Sequence, residues 1–142
     1  MRPFIAVALV GVLLPCHLSA QDADLDKLQG TWDLVTLNLD GKEIPAERIK
    51  AAKLQTVYKG NNLSRVNNAK KSDSATIKID SSKSPKHLDT TNKDGVTEVG
   101  IYKLNGDSLT ICTRTESGKE RPTKFEPNAD KTVLTTWKRV QP

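Results

Sequence analysis

Apolar and polar residues alternate along most of this chain in runs of about five to ten residues. The clearest is Ala75–Asp80, with Ala75, Ile77 and Ile79 on one side and Thr76, Lys78 and Asp80 on the other. Gly30–Leu39 alternates with apolar groups on both faces, which predicts a first strand covered on each side near one end. Asn105-Gly106 lies between two runs rich in Val, Ile, Tyr and Thr, the strongest short-range signal for a hairpin. With these two as the loop, Tyr102 faces Leu109 and Gly100 faces Ile111. Ile101/Thr110 and Val99/Cys112 then occupy the other side. Further strands are predicted over Leu54–Lys59, Asn62–Val66, Lys86–Thr91 and Lys131–Val140, and Arg121–Phe125 reads as an extended edge or strand start. Asn67–Ser74 reads as a loop by composition. Asp22–Gln29 reads as a short helical turn capped by Asp24, with Leu25 and Leu28 on one face. Pro45–Lys53 reads as a short helix with proline at its first position.

Eight to ten short strands with turn signals between them, and one or two short helices, predict an antiparallel all-β fold. Closure removes exposed edges, so a small up-and-down β-barrel is preferred to a sandwich. In such a barrel the first and last strands pair. This would bring Trp32 to Arg139, an indole under a guanidinium at the barrel end.

The N-terminus changes the picture of where the barrel works. Arg2, the apolar run Phe4–Leu14, Pro15 and the small Ala20 have the layout of a secretory signal peptide over 1–20, leaving 21–142 as a single domain. That run is too short to span a bilayer. A competing lipoprotein signal with Cys16 as the lipidated residue fits poorly, because Pro15 directly precedes the cysteine. The expected product is therefore exported, to the periplasm, the cell envelope or the medium, and it is expected to be a monomer.

After cleavage Cys112 is the one cysteine, so no internal disulfide is possible, and a half-buried thiol is its ordinary role. The chain carries a formal charge of +5. The surplus lies in Lys59–Lys93, eight bases against three acids, with Lys70, Lys71, Lys83 and Lys86 as a candidate basic surface. No aromatic residue interrupts that stretch, so the stacking platform of a single-strand nucleic-acid binder is missing, and no specific nucleic-acid partner is expected.

Candidate chemistry is sparse. The sequence has no HExxH, CxxC, GxSxG or glycine-rich phosphate loop. Asp22, Asp24 and Asp26 mimic the opening of a calcium loop, but Lys27 stands where that loop needs glycine. Cys112 with His87 is too small a set for zinc and lacks an activating group for nucleophilic attack. Glu98, Glu116 and Glu120 read as surface acids. Asn62-Leu63-Ser64 fits a glycosylation triplet, which matters only in a eukaryotic host. No cofactor, metal or catalytic residue is expected.

Five segments then fall in a familiar order: LQGTW at Leu28–Trp32, DGKEIP at Asp40–Pro45, KSPKHLD at Lys83–Asp89, GIYKLNGDSLTIC at Gly100–Cys112 and RPTKF at Arg121–Phe125. Together they resemble the short secreted lipocalin-like domain that planctomycete genomes carry in many copies. The resemblance implies a small lipocalin-like barrel in an exported protein and brings no ligand or catalytic residue with it. Gly30-x-Trp32 is similar to the opening Gly-x-Trp of true lipocalins, and Arg139 to their basic residue near the end of the barrel. Two functions follow as expectations. One is a binding module holding a small apolar or amphipathic ligand inside the barrel, against Tyr102, Leu109 and Ile111. The other is a solid barrel whose basic surface meets an acidic envelope polymer or protein.

Overall fold

The structure, a computed structural model, describes residues 20–115, 120–127 and 131–142, with side chains from residue 23 onward. Residues 1–19 of the expected leader, Cys16 among them, lie outside the described residues, as does Glu116. The element order is α1 (Ala20–Leu28), β1 (Gly30–Leu39), β2 (Lys42–Glu43), α2 (Ala46–Ala52), β3 (Leu54–Lys59), β4 (Asn62–Asn67), β5 (Lys70–Asp80), β6 (Lys86–Asn92), β7 (Thr97–Asn105), β8 (Ser108–Arg114) and β9 (Thr132–Arg139). All strand pairs are antiparallel, each barrel strand pairs with its neighbours in sequence, and β1 pairs with β9. The fold is thus an all-β, lipocalin-like barrel of eight strands, with β2 added as a short ninth on the far half of β1. No helix among the described residues is long and apolar enough to cross a membrane.

Alternation along the strands sorts the side chains. One face of each strand supplies an apolar core of Trp32, Tyr58, Leu63, Ile77, Ile79, Leu88, Tyr102, Leu109, Ile111 and Trp137, and α1 adds Leu28. The central hairpin turns one residue later than the Asn105-Gly106 reading. Asn105 pairs with Ser108, so Gly106-Asp107 form the loop, and Tyr102 lies opposite Ile111. Gly106 has φ +57°, which a two-residue loop with glycine first requires. Moving every partner by two leaves the faces unchanged, so Tyr102, Leu109 and Ile111 all point inward as read. Gly100 does not face Ile111. It lies opposite Thr113, whose Cγ2 would sit 2.6 Å from an added Cβ.

Two other readings are corrected. Asn67–Ser74 is not a loop but a hairpin, in which Asn67 pairs with Lys70 and the turn residues Asn68 and Ala69 both have positive φ, +48° and +63°. This is the primed turn that matches strand twist, built without glycine and therefore silent in the sequence. Arg121–Phe125 is not a strand but an irregular strap lying across the outer face of β6 and β7. Arg121 grips both carboxylate oxygens of Asp89 and donates to Gly100 O at 2.7 Å, Pro122 is buried, and the Lys103 ammonium sits 5.3 Å from the Phe125 ring. On this outer face Ile101 and Cys112 pair and are fully buried. Burial pushes the Cys112 thiol up, which suppresses the thiolate. His87 lies two strands from it, roughly 10 Å away at about 4.8 Å per strand.

One end of the barrel is closed by α1. Trp32, fully buried, donates its indole N–H to Leu28 O at 2.8 Å. Trp32 and Arg139 are direct partners across β1 and β9, and the guanidinium stands 4.2 Å from the ring centre. The same guanidinium donates to Lys27 O (2.5 Å), Gln29 O (2.8 Å) and Asp107 Oδ1 (3.0 Å). It therefore satisfies carbonyls that the end of a helix leaves open, and stacks on the indole at once. Gln29 ties the helix to the β3–β4 turn by accepting from Gly60 N (2.6 Å) and donating to Gly60 O (3.2 Å).

Asp24 is no helix cap. It lies inside α1, buried, and its Oδ2 accepts from Lys86 Nζ (2.5 Å) and Tyr102 OH (2.8 Å). Burial pushes its carboxyl up, but the hydrogen bonds from Lys86 and Tyr102 and the charges of Lys86 and Lys27 outweigh it, leaving the carboxyl below its ordinary range. A depressed carboxylate stabilises the fold above its unfolded pKa, near 3.9, and loses that contribution as pH falls through the folded value. Asp24→Asn is accordingly expected to cost about 1.5–3 kcal/mol at pH 7, the worth of hydrogen bonds to a charged group. The gap to the wild type should begin to narrow below about pH 4 and close as pH falls through the lowered folded value. Urea unfolding at pH 7 and pH 3 checks this, and a gap as large at pH 3 as at pH 7 would contradict it.

Candidate functional site

The expected ligand-contacting trio divides. Tyr102 and Leu109 are buried in the packed core, with the Tyr102 hydroxyl spent on Asp24 at the closed end. Ile111 alone of the three borders internal space. The four lysines do not make one surface. Lys70 and Lys71 open β5, while Lys83 and Lys86 follow its far end, roughly 30 Å away for nine strand steps beyond Lys71. β5 runs the height of the barrel, and Lys86 is bound to Asp24.

A hollow of about 440 Å³ lies at the α1 end against Asp24, Lys27, Lys86 and Asp107, but the space that shares walls with the barrel core is found at the other end. A cavity of about 380 Å³ opens among β4, β5, β6 and β7, walled by Leu63, Arg65, Asp73, Ala75, Thr90 and Glu98 and rimmed by Lys93 and Asp94 on the β6–β7 turn. A narrow neck of about 50 Å³ shares the walls Leu63, Arg65, Thr90 and Glu98 and reaches Thr56, Tyr58, Ile111 and Trp137. The barrel interior is therefore two-layered, apolar and filled towards α1, polar and open at the opposite end.

Each wall follows from local alternation. Thr56 is two residues before Tyr58, Arg65 two after Leu63, Thr90 two after Leu88, and Glu98 four before Tyr102, so each shares the inward face of a core residue. Thr56 is 1% exposed, and its hydroxyl meets no hydrogen-bond partner among the described residues. Leaving such a group unsatisfied costs about 1–3 kcal/mol. Its neighbour in the neck is provided for, because the Thr135 hydroxyl accepts from Trp137 Nε1 at 2.8 Å and donates to Ile111 O at 3.4 Å. Burial drives the Tyr58 phenol far above its ordinary range, and the charge of Arg65 is near enough to pull it partly back. The phenol is thus a neutral group at any physiological pH. Arg65 and Glu98 carry opposite charges on strands facing across the mouth, and no ion pair within 4 Å joins either to another described residue.

Thr56, Arg65, Thr90 and Glu98 were not legible as a site. Glu98 reads as a solvated surface acid until its step from Tyr102 is counted, and that period-two step was the available signal. Chemically the arrangement can bind and orient a small polar molecule. Compared with known proteins, the chain matches no family model and no curated protein.

Proposed function

We propose that this protein is an exported, lipocalin-like binding module that takes a small amphipathic molecule into the open end of its barrel. One observation carries the reading: a closed barrel, plugged by α1 at one end, keeps at the other a tapering cavity of about 380 Å³. That volume lies within the roughly 300–1,000 Å³ typical of small-molecule sites. The neck limits the apolar part of the ligand. Its 50 Å³ holds about two water-sized groups, so a long acyl chain or fused ring system has no room below the mouth. Export rests on the layout of Arg2, Phe4–Leu14 and Ala20.

Native mass spectrometry of the protein purified from its own cell envelope tests the proposal. A small molecule is expected to accompany the barrel and to be lost from a Thr90→Trp variant, in which an indole fills the mouth. An unliganded mass, together with no change in melting temperature across a library of small amphipathic compounds, would overturn it.

A further inference from the structure

The charges around the mouth bear on what enters it. Arg65 and Lys93 are positive, Asp73, Asp94 and Glu98 negative, and the first and last of these five line the neck as well. A rim so nearly balanced offers little to a molecule with one net charge, because each attraction is met by a repulsion close by. It complements a molecule that carries both charges. Arg65 presents a planar fork suited to a carboxylate, and Glu98 an acceptor suited to an ammonium. Below them the neck leads to the buried, unpartnered hydroxyl of Thr56, with room for about two groups the size of water.

Resting on the binding reading above, we infer that the ligand is a small zwitterion of the amino-acid type, held by its carboxylate on Arg65 and its ammonium on Glu98. A short side chain with a polar tip enters the neck and hydrogen-bonds Thr56. A free amino acid and a dipeptide share this chemistry. The cavity is large enough for either, and the dipeptide would place its added glycine towards Lys93 and Asp94.

Isothermal titration of the full-length protein with L-asparagine, glycyl-L-asparagine, L-alanine, propionate and octanoate separates the possibilities. L-asparagine or the dipeptide is expected to bind at least about tenfold more tightly than propionate, a difference near 1.4 kcal/mol. Whichever of the two binds more tightly names the source. Asparagine should also be preferred to alanine. Arg65→Gln and Glu98→Gln should each weaken binding about tenfold. Thr56→Val should erase the preference for asparagine over alanine while leaving alanine unchanged, and Thr56→Ser should restore it. Melting curves confirm that each variant is folded. Octanoate binding without asparagine binding would overturn the zwitterion and leave the binding module standing. Silence from all five probes, with no molecule found in the native spectrum, would overturn both.

Discussion

Trp32→Ala is expected to destabilise the barrel by about 3–5 kcal/mol, the largest loss of any single substitution at the closed end. The indole is fully buried and sits where three elements meet. It lies on β1 between Thr56 of β3 and Arg139 of β9, and its N–H holds the last carbonyl of α1. Truncation removes an aromatic volume, orphans Leu28 O and takes away the surface on which Arg139 rests. A cycle with Trp32→Leu and Arg139→Met isolates the stacking part. The two costs should be non-additive by roughly 0.5–2 kcal/mol, measured by urea unfolding. Lysine at 139 should recover little, since an ammonium cannot lie flat on the ring while donating to Lys27 O, Gln29 O and Asp107. Strictly additive costs would show that guanidinium and indole are neighbours without being partners.

Leu109→Ala carries the second large effect, about 2–5 kcal/mol, and Thr110→Ala on the same strand less than about 1 kcal/mol. Leu109 is fully buried in the core between Leu104 and Trp137, whereas Thr110 faces outward between Lys103 and Thr136. Ile111→Ala should fall at the lower end of the range. Its side chain already borders the neck, so the space left behind opens into existing space rather than a new sealed void. Equal costs at 109 and 110 would mean that the strand has turned over by one residue.

The contrast between these positions also explains what the sequence disclosed. Strands whose inward residues are Leu, Ile, Tyr or Trp announce themselves, and β1, β3, β7 and β9 lie close to where alternation predicts them. The barrel closure and the Trp32–Arg139 contact were legible for the same reason, since an up-and-down order leaves the free edges of β1 and β9 only each other. β5 begins five residues earlier than it reads. Its first half, Lys70–Ser74, belongs to the polar open end, where there is no apolar core to imprint a pattern. The candidate site was hidden by the same physics. Inward-facing Thr56, Arg65, Thr90 and Glu98 are polar, so periodicity counts them as surface, although they line the cavity. The strap at Arg121 was misread because proline and an extended composition suit both an edge strand and a segment held by side chains. The bidentate grip of Arg121 on Asp89 depends on tertiary placement alone.

The pairing of β1 with β9 has a temporal side. Strands 107 positions apart at Trp32 and Arg139 form the seam, and the helix that plugs the barrel is held by that same Arg139 of the last strand. Contacts so distant in sequence are made only after a long loop has been closed, and folds dominated by them reach the native state in milliseconds to seconds rather than microseconds. The first strand can pair with β3 early, but its other edge must wait for the last strand. The barrel is therefore an open, unlatched ribbon until β9 reaches β1, and the seam and the hold of Arg139 on the plugging helix are made together, as late events of folding.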